Sequence, residues 1–224
     1  MVEGSKSIVE FNNSPYEIDT VYYTTAFDSK VLNLSHKINS CEISVNDLEK
    51  VSSLKTPQDV IAKIKIPEWA ALSEKDLVGQ FSLVLDGVQD PGNLGTIIRI
   101  ADWFGIRHII CSQDTVDAYN PKVVQASMGS LARVKVYDTD LTNFLQKFKL
   151  PVFGALLDGA NIYHTDFGHE GLLILGNEGN GIRREVEALV SHAVTIPRIG
   201  KAESLNVGIA TALFCSEITR NTKK

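Results

Sequence analysis

The side chains able to do chemistry gather in three short segments. The first runs Leu85-Asp86-Gly87-Val88-Gln89-Asp90-Pro91-Gly92-Asn93-Leu94-Gly95-Thr96-Ile97-Ile98-Arg99. Leu94, Ile97, Ile98 and Ala101 follow the i, i+3, i+4, i+7 spacing of a buried helix stripe. At roughly 100° per residue, Arg99 points roughly 140° away from that stripe, on the side shared with Gly92 and Gly95. Small residues beside an outward Arg at a helix start let a phosphate reach both backbone N–H groups and the guanidinium. A surface arginine above a glycine turn gives the same pattern. Gly92 and Gly95 are three apart with no third glycine to complete GxGxxG, which leaves a nicotinamide site poorly supported.

The second segment is Leu172-Leu173-Ile174-Leu175-Gly176-Asn177-Glu178-Gly179-Asn180-Gly181-Ile182, an apolar strand ending in three interleaved glycines. Such a backbone can take positive φ and come close to a bound molecule with its amides exposed. Three glycines in six residues exceed what a simple strand-to-helix turn requires. The third segment, Val194 to Ala210, places Ser204 as a fitting helix N-cap and Leu205, Ile209, Ala212 and Leu213 as the following apolar stripe. Cap and stripe leave Asn206, Arg198 and Lys201 unexplained.

Other chemistries find little support. His36, His108, His164, His169 and His192 have no metal-like spacing, and there is no Gly-x-Ser-x-Gly elbow. Cys41, Cys111 and Cys215 form no CxxC pair and read as reduced and mostly packed. No metal is expected.

Elements that position these segments follow from periodicity. Apolar runs predict strands at Phe81–Leu85, Arg107–Cys111, Arg133–Tyr137, Pro151–Leu157, Leu172–Gly176 and Ala193–Pro197. Amphipathic stretches predict helices at Gly92–Phe104, Pro121–Leu131, Leu141–Phe148, Arg183–Val190 and Ser204–Arg220. That alternation means a parallel sheet flanked by helices, with each chemical segment in a loop after a strand, where open α/β sheets place ligands. Upstream the elements are shorter: helical Ser5–Glu10, extended Ile18–Thr24, helical Phe27–Asn39, extended Cys41–Ser44 and helical Asn46–Leu54, the last capped from Asn46. Lys65 to Asp76 reads as a linker or edge segment, and a boundary is expected near residue 77, giving units 1–77 and 78–224.

Charge divides at the same place. Residues 1–77 hold eight Lys, no Arg and twelve acids, whereas the remainder holds seven Lys, seven Arg and fifteen acids. Confinement of arginine to the second unit points to anion handling there, although a drift in Lys and Arg usage gives the same split. The net charge of −5 argues against a generic basic coat, so any nucleic-acid contact must be local. With 224 residues and 44 % hydrophobic content a sizeable core can form. No apolar run is long enough to span a bilayer and the start lacks a signal-peptide layout, so the expected address is cytoplasmic, with no membrane partner.

Taken together, NLGTIIR, LGNEGNGI and IPRIGKAESLNVGIATAL resemble, in order and interval, the three signature motifs of the SpoU/TrmH group of SPOUT RNA methyltransferases, over roughly residues 80–220. Residues 1–77 resemble the L30e-like substrate-binding domain often found ahead of it. The opening Val2-Glu3-Gly4-Ser5-Lys6 in relatives usually follows an initial basic segment, so a truncated start is expected. The resemblance implies an α/β fold: a small L30e-like α/β domain, then a Rossmann-like parallel sheet with a deep trefoil knot. It also implies transfer of a methyl group from S-adenosylmethionine to a ribose 2′-OH, with ribosomal RNA favoured over transfer RNA, and a homodimer through the methyltransferase domain, to which the Ser204–Arg220 helix would contribute.

Carried over by position, Gly176, Ile196 and Leu205 would contact the cofactor, and Gly154, Ala155, Leu156, Asn177 and Gly179 would line its pocket. Asn93, Arg99, Glu178, Ser204 and Asn206 would surround the reacting ribose, and Arg99, Arg198 and Lys201 would touch RNA. Gly208 stands where serine is frequent, which removes one hydroxyl contact. A guanidinium does not act as a free base at neutral pH. Arg99 is therefore expected to hold the phosphate beside the target ribose and orient its 2′-OH, with the proton leaving to a phosphate oxygen or water. Two rival readings are a non-catalytic RNA-binding protein and a dinucleotide-dependent oxidoreductase.

Overall fold

In the computed structural model the described residues, 1–35 and 37–222, form two sheets. The first contains β1 (Val2–Glu3), β2 (Glu17–Tyr23), β3 (Asn39–Glu42) and β4 (Val60–Lys65) in the order β1-β4-β2-β3. Strands β1 and β4 escaped the sequence reading, the first because it is only two residues long. Helix α1 (Ser5–Asn12) buries Ile8 and Phe11 against this sheet. Helix α2 (Val45–Val51) is capped two residues earlier than expected: the Ser44 hydroxyl, not Asn46, accepts from the Asp47 N–H. The helix expected over Phe27–Asn39 is not formed. Only Ser29–Leu32 makes a 3-10 turn, ended by Asn33 in the left-handed region, because Leu32 is the sole fully buried side chain that turn can offer. His36 lies outside the described residues.

The second sheet is wholly parallel. Its strands are β5 (Phe81–Asp86), β6 (His108–Ser112), β7 (Lys135–Thr139), β8 (Val152–Asn161), β9 (Gly171–Gly176) and β10 (His192–Thr195), in the order β10-β8-β9-β5-β6-β7. Every residue of central β5 is buried, as a strand covered on both faces requires. Helices α3 (Pro91–Trp103), α4 (Pro121–Ser127), α5 (Leu141–Lys147), α6 (Arg184–Glu187) and α7 (Val207–Thr222) complete the unit.

Helix α3 has clear causes. Asp90 caps it by accepting from the Asn93 N–H, Pro91 occupies its first turn, and Leu94, Ile97, Ile98 and Ala101 are fully buried. It stops at Gly105, φ +75°, where Ile106 N–H reaches back to Ala101 O and Gly105 N–H to Asp102 O. Gly95 departs from the sequence reading. A Cβ there would lie 2.4 Å from the Ala126 Cβ, so this glycine lets α4 approach rather than opening room beside Arg99.

The stripe expected on α7 is also reversed. Val207, Thr211, Phe214, Cys215 and Ile218 are buried, while Leu205 and Ile209 are exposed and Ala212 and Leu213 half-buried. Both faces of this helix carry apolar residues, so periodicity alone could not choose between them.

The two sheets share one continuous core that includes Ile8 and Phe11 from the first and Ile97 and Leu131 from the second. Arg133 clamps them: its guanidinium pairs with Asp102 on α3 at 2.8–3.1 Å and with Glu10 on α1. Tyr16 and Tyr119 join hydroxyls at 3.2 Å, and Trp69, in the segment read as a linker, packs edge-on against Tyr16 and lies under Lys135. The first unit is therefore held in a fixed orientation relative to the carboxyl ends of the parallel strands.

Candidate active site

The three chemical segments converge. Asn93, in the first turn of α3, donates through Nδ2 to Glu178 Oε1 at 2.6 Å, and its Oδ1 accepts from Asn206 Nδ2 at 2.9 Å. Asn206 in turn caps α7, its Oδ1 accepting from the N–H groups of Gly208 and Ile209. The cap assigned to Ser204 thus belongs to Asn206, and Ser204 lies exposed in the preceding loop. An Asn at this point offers an acceptor to the helix end and a donor to Asn93 at once, which a serine could not do with equal reach.

Motif two is held just as tightly. Asn177 donates from Nδ2 to Gly87 O at 2.8 Å, and its Oδ1 accepts from the N–H groups of Gly179 and Asn180. Its backbone pairs with Gly181 in both directions. A Cβ on Gly176 would stand 2.2 Å from Gly181 C and 2.4 Å from Ile182 N, so only glycine closes this loop. Of the three glycines, Gly176 has a steric cause and Gly181 a conformational one, its φ being +70°, while Gly179 meets only an ordinary contact.

Beside the loop, β8 bulges against β10. Register jumps from Ala193 opposite Gly154 to Val194 opposite Ala160, so residues 155–159 leave the ladder, and the Thr195 hydroxyl reaches Leu157 O at 2.9 Å. Ile196 and Leu156 are half-buried, and Leu205 is 47 % exposed. Gly154, Ala155 and Leu156 lie on β8, Gly176 ends β9 with Asn177 and Gly179 in the loop after it, Ile196 follows β10, and Leu205 lies in the loop before α7. Apolar side chains and free backbone at strand ends suit a flat heteroaromatic group.

Arg99 is exposed on α3, one turn beyond Thr96, whose Cγ2 would touch a Cβ on Gly208. It makes no hydrogen bond to the Asn93–Glu178–Asn206 chain. Arg198 bonds Ala202 O through Nη1 at 3.2 Å, and Lys201 is exposed. Of the named residues, Asn93, Glu178 and Asn206 are joined directly, whereas Arg99, Ser204, Arg198 and Lys201 stand free of them.

Sequence reading missed the pair under this site. Asp86, at the end of β5 and 1 % exposed, accepts from Arg183 N–H and Nε at 2.7 Å each, with Nη2 at 2.6 Å. A carboxylate closing an otherwise apolar strand was the available signal. The buried charge keeps Arg183 protonated, its basicity raised by that hydrogen bond. Cys111 and Cys215 are buried and Cys41 exposed, and no group of three or more metal-ligating side chains occurs among the described residues. No described helix is long and apolar enough to cross a membrane.

A parallel α/β sheet with glycine-rich loops at its strand ends, three polar motifs joined there and a small α/β unit docked in front define the class of RNA methyltransferases with an appended substrate-binding domain. The chain belongs to the SpoU rRNA methylase family, whose model matches residues 80–216, and the model of an MRM3-like substrate-binding domain matches residues 1–62. It is 34 % identical over 220 residues to the 23S rRNA (guanosine(2553)-2′-O)-methyltransferase RlmP of Bacillus subtilis, covering 96 % of this chain and 86 % of that protein. Among solved structures it is similar to a TrmH-family protein of Porphyromonas gingivalis, with 40 % identity, a TM-score of 0.85 and coverage of 98 % and 88 %. An rRNA methyltransferase from Sinorhizobium meliloti solved with AdoMet bound shows 28 % identity, a TM-score of 0.85 and coverage of 98 % and 86 %.

Proposed function

We propose that this protein transfers a methyl group from S-adenosylmethionine to the 2′-OH of a guanosine ribose in 23S ribosomal RNA. The observation that carries this reading is the chain Glu178–Asn93–Asn206, which brings side chains 85 and 113 residues apart into one polar site. An RNA-binding protein without activity has no need of that arrangement. The guanosine and the 23S rRNA are taken from the names of similar proteins, the B. subtilis relative first among them.

S-adenosylmethionine supplies a methyl group on a sulfonium, open to in-line displacement. The residues present fit it: Leu156, Ile196 and Leu205 offer apolar walls and the 154–156 and 177–179 backbones offer hydrogen bonds. Asn93 keeps the Glu178 carboxylate on the α3 side of the site, leaving Oε2 for the ribose. Asn206 fixes Asn93 in turn. Arg99, free and exposed, holds the phosphate next to the target ribose and orients the hydroxyl, whose proton passes to a phosphate oxygen or water. Positioning of this kind supplies much of the acceleration in a displacement with a good leaving group.

Three further assignments belong to the same reading. Residues 1–77 grip RNA and residues 78–224 carry the methyl transfer, with Arg198 and Lys201 adding local phosphate contacts. The segment after β10 passes through a trefoil knot. Two copies pair through the outward face of α7, where Ile209 is 55 % exposed beside Ala212 and Leu213.

The test is twofold. Calorimetry is expected to show S-adenosylmethionine binding and no NAD binding; absence of both would favour an RNA-only module. Mapping of 2′-O-methyl sites in RNA from cells with and without the gene is expected to lose one guanosine site in 23S rRNA. A complete pattern in the deleted strain overturns the reading.

A further inference from the structure

Helix α3 shows water a single stripe. Its exposed residues are Gly92, Thr96, Arg99 and Trp103, spaced i, i+4, i+7 and i+11, so at roughly 100° per residue all four lie within about 60° of one another. The stripe begins in the turn that carries Asn93 and leads away from it. Trp103 at its far end is 84 % exposed, whereas the next most exposed aromatic ring among the described residues, that of Tyr163, is 50 % exposed. An indole is a large apolar area to leave in water. Core packing gives it no reason to stand there, since Leu94, Ile97, Ile98 and Ala101 already fill the inner face of the helix.

Charge on the stripe has one sign. Arg99, one turn before Trp103, has no hydrogen-bond or ion-pair partner for its guanidinium among the described residues. The one acid within α3, Asp102, is half-buried and held by Arg133 Nε and Nη2 at 2.8–3.1 Å. A free guanidinium and a bare ring four residues apart, about 6 Å along the helix axis, set a phosphate contact beside a stacking surface. Unpaired nucleic-acid strands are gripped by that pair of contacts. A second copy of the chain fits this stripe poorly. It would cover the Arg99 guanidinium, which no carboxylate on the stripe neutralises, whereas Ile209, Ala212 and Leu213 on α7 offer a partner copy an uncharged face.

Length decides which nucleotide is met. Trp103 stands ten residues beyond Asn93, about 15 Å along the helix. At about 3.4 Å per stacked nucleotide along a strand, the ring is out of reach of the target base and faces one no more than about four positions away.

We propose that the exposed stripe of α3 is a track for the unpaired RNA strand next to the target nucleotide, with Arg99 on the phosphate beside the target ribose and Trp103 stacked on a flanking base. The proposal rests on the methyl-transfer reading and adds to it a positioning residue outside the motif residues already placed in the site. Stacking reads no base edge, so Trp103 fixes the path of the strand and not the identity of the base.

The experiment uses the full-length protein and ribosomal RNA from cells lacking the gene. The chain has two tryptophans, and Trp69 is packed against Tyr16 under Lys135, so quenching of indole emission by RNA reports on Trp103. Wild type is expected to be quenched by this RNA, and Trp103→Phe to show little quenching while keeping most of its activity. In Trp103→Ala and Trp103→Leu, KM for the RNA in methyl transfer from tritiated S-adenosylmethionine is expected to rise about fivefold to a hundredfold. Their kcat, S-adenosylmethionine affinity and sedimentation are expected to match wild type. Leucine keeps apolar bulk without the ring face, so equal losses in the two variants separate stacking from simple apolar contact. An unchanged KM in both, rescue by leucine, or undiminished quenching in Trp103→Phe overturns the proposal. So does a change of oligomeric state in Trp103→Ala, which would place the ring between copies. Failure of wild type to methylate any RNA removes the methyl-transfer reading instead; quenching needs no methyl transfer and still decides whether Trp103 meets RNA.

Discussion

Asn93 Nδ2 lies 2.6 Å from Glu178 Oε1, so the first turn of α3 and the loop after β9 are tied by a single amide–carboxylate bond. The same Asn accepts from Asn206. One side chain thereby fixes the relative placement of three loops, and the free carboxylate oxygen inherits its position from that bond.

Asn93→Ala and Glu178→Ala are accordingly expected to be coupled. In a double-mutant cycle read on kcat/KM, the pair should deviate from additivity by about 0.5–3 kcal/mol, the range for residues in one hydrogen-bond network. S-adenosylmethionine affinity should change little in Asn93→Ala. Strict additivity would mean that the bond has no part in the reaction.

Arg99→Lys keeps the charge but not the planar fork that grips a phosphate on two nitrogens. Turnover should fall by about tenfold or more, with cofactor and RNA binding near wild type. Wild-type turnover in this variant would contradict the orienting role given to Arg99. RNA binding should also weaken with salt, as local cationic contacts to phosphate require.

Gly176→Ala tests the glycine loop. Its Cβ would meet the Gly181 and Ile182 backbone at 2.2–2.4 Å, and neither neighbour is a flexible side-chain end. Calorimetry should show loss of S-adenosylmethionine binding while the far-ultraviolet spectrum stays native. Retained affinity would show that the loop can open without harm.

Ile209→Glu places a charge on the outward face of α7. Sedimentation at micromolar concentration should find wild type dimeric and the variant monomeric. A wild-type monomer with full activity would remove the dimer from the account.

His108 predicts a pH effect. Burial holds its imidazole below the usual range, Lys135 and Arg107 add to this, and Asp76 opposes it. Its Nδ1 is buried without a hydrogen-bond partner among the described residues. The unfolded chain takes a proton as pH falls through about 6.5, whereas folded His108 takes it only at lower pH, so this stability is present at neutral pH and drains away as pH falls below about 6.5. His108→Phe should lose less stability than wild type over that interval in urea titrations. Equal losses would place the pH term elsewhere.

Much of this was readable in the chain. Alternating apolar runs and amphipathic stretches gave the parallel sheet because buried strands and half-buried helices impose different periods on the same alphabet. The clustered glycines stood out through residue type alone, whereas Asn93, Glu178 and Asn206 came together only through the family resemblance. What the sequence could not supply was any choice depending on neighbours distant in the chain. Helix α7 is apolar on two faces, and only packing decides which is core. Gly95 reads as an opening for a ligand until α4 is seen against it, and Ser204 reads as a cap until Asn206 takes the helix end. The Asp86–Arg183 pair joins residues from separate loops, so no local pattern announces it. Local periodicity fixes elements because each residue feels its own turn or pleat; the charges, caps and cavities are settled by burial, which only the assembled chain defines.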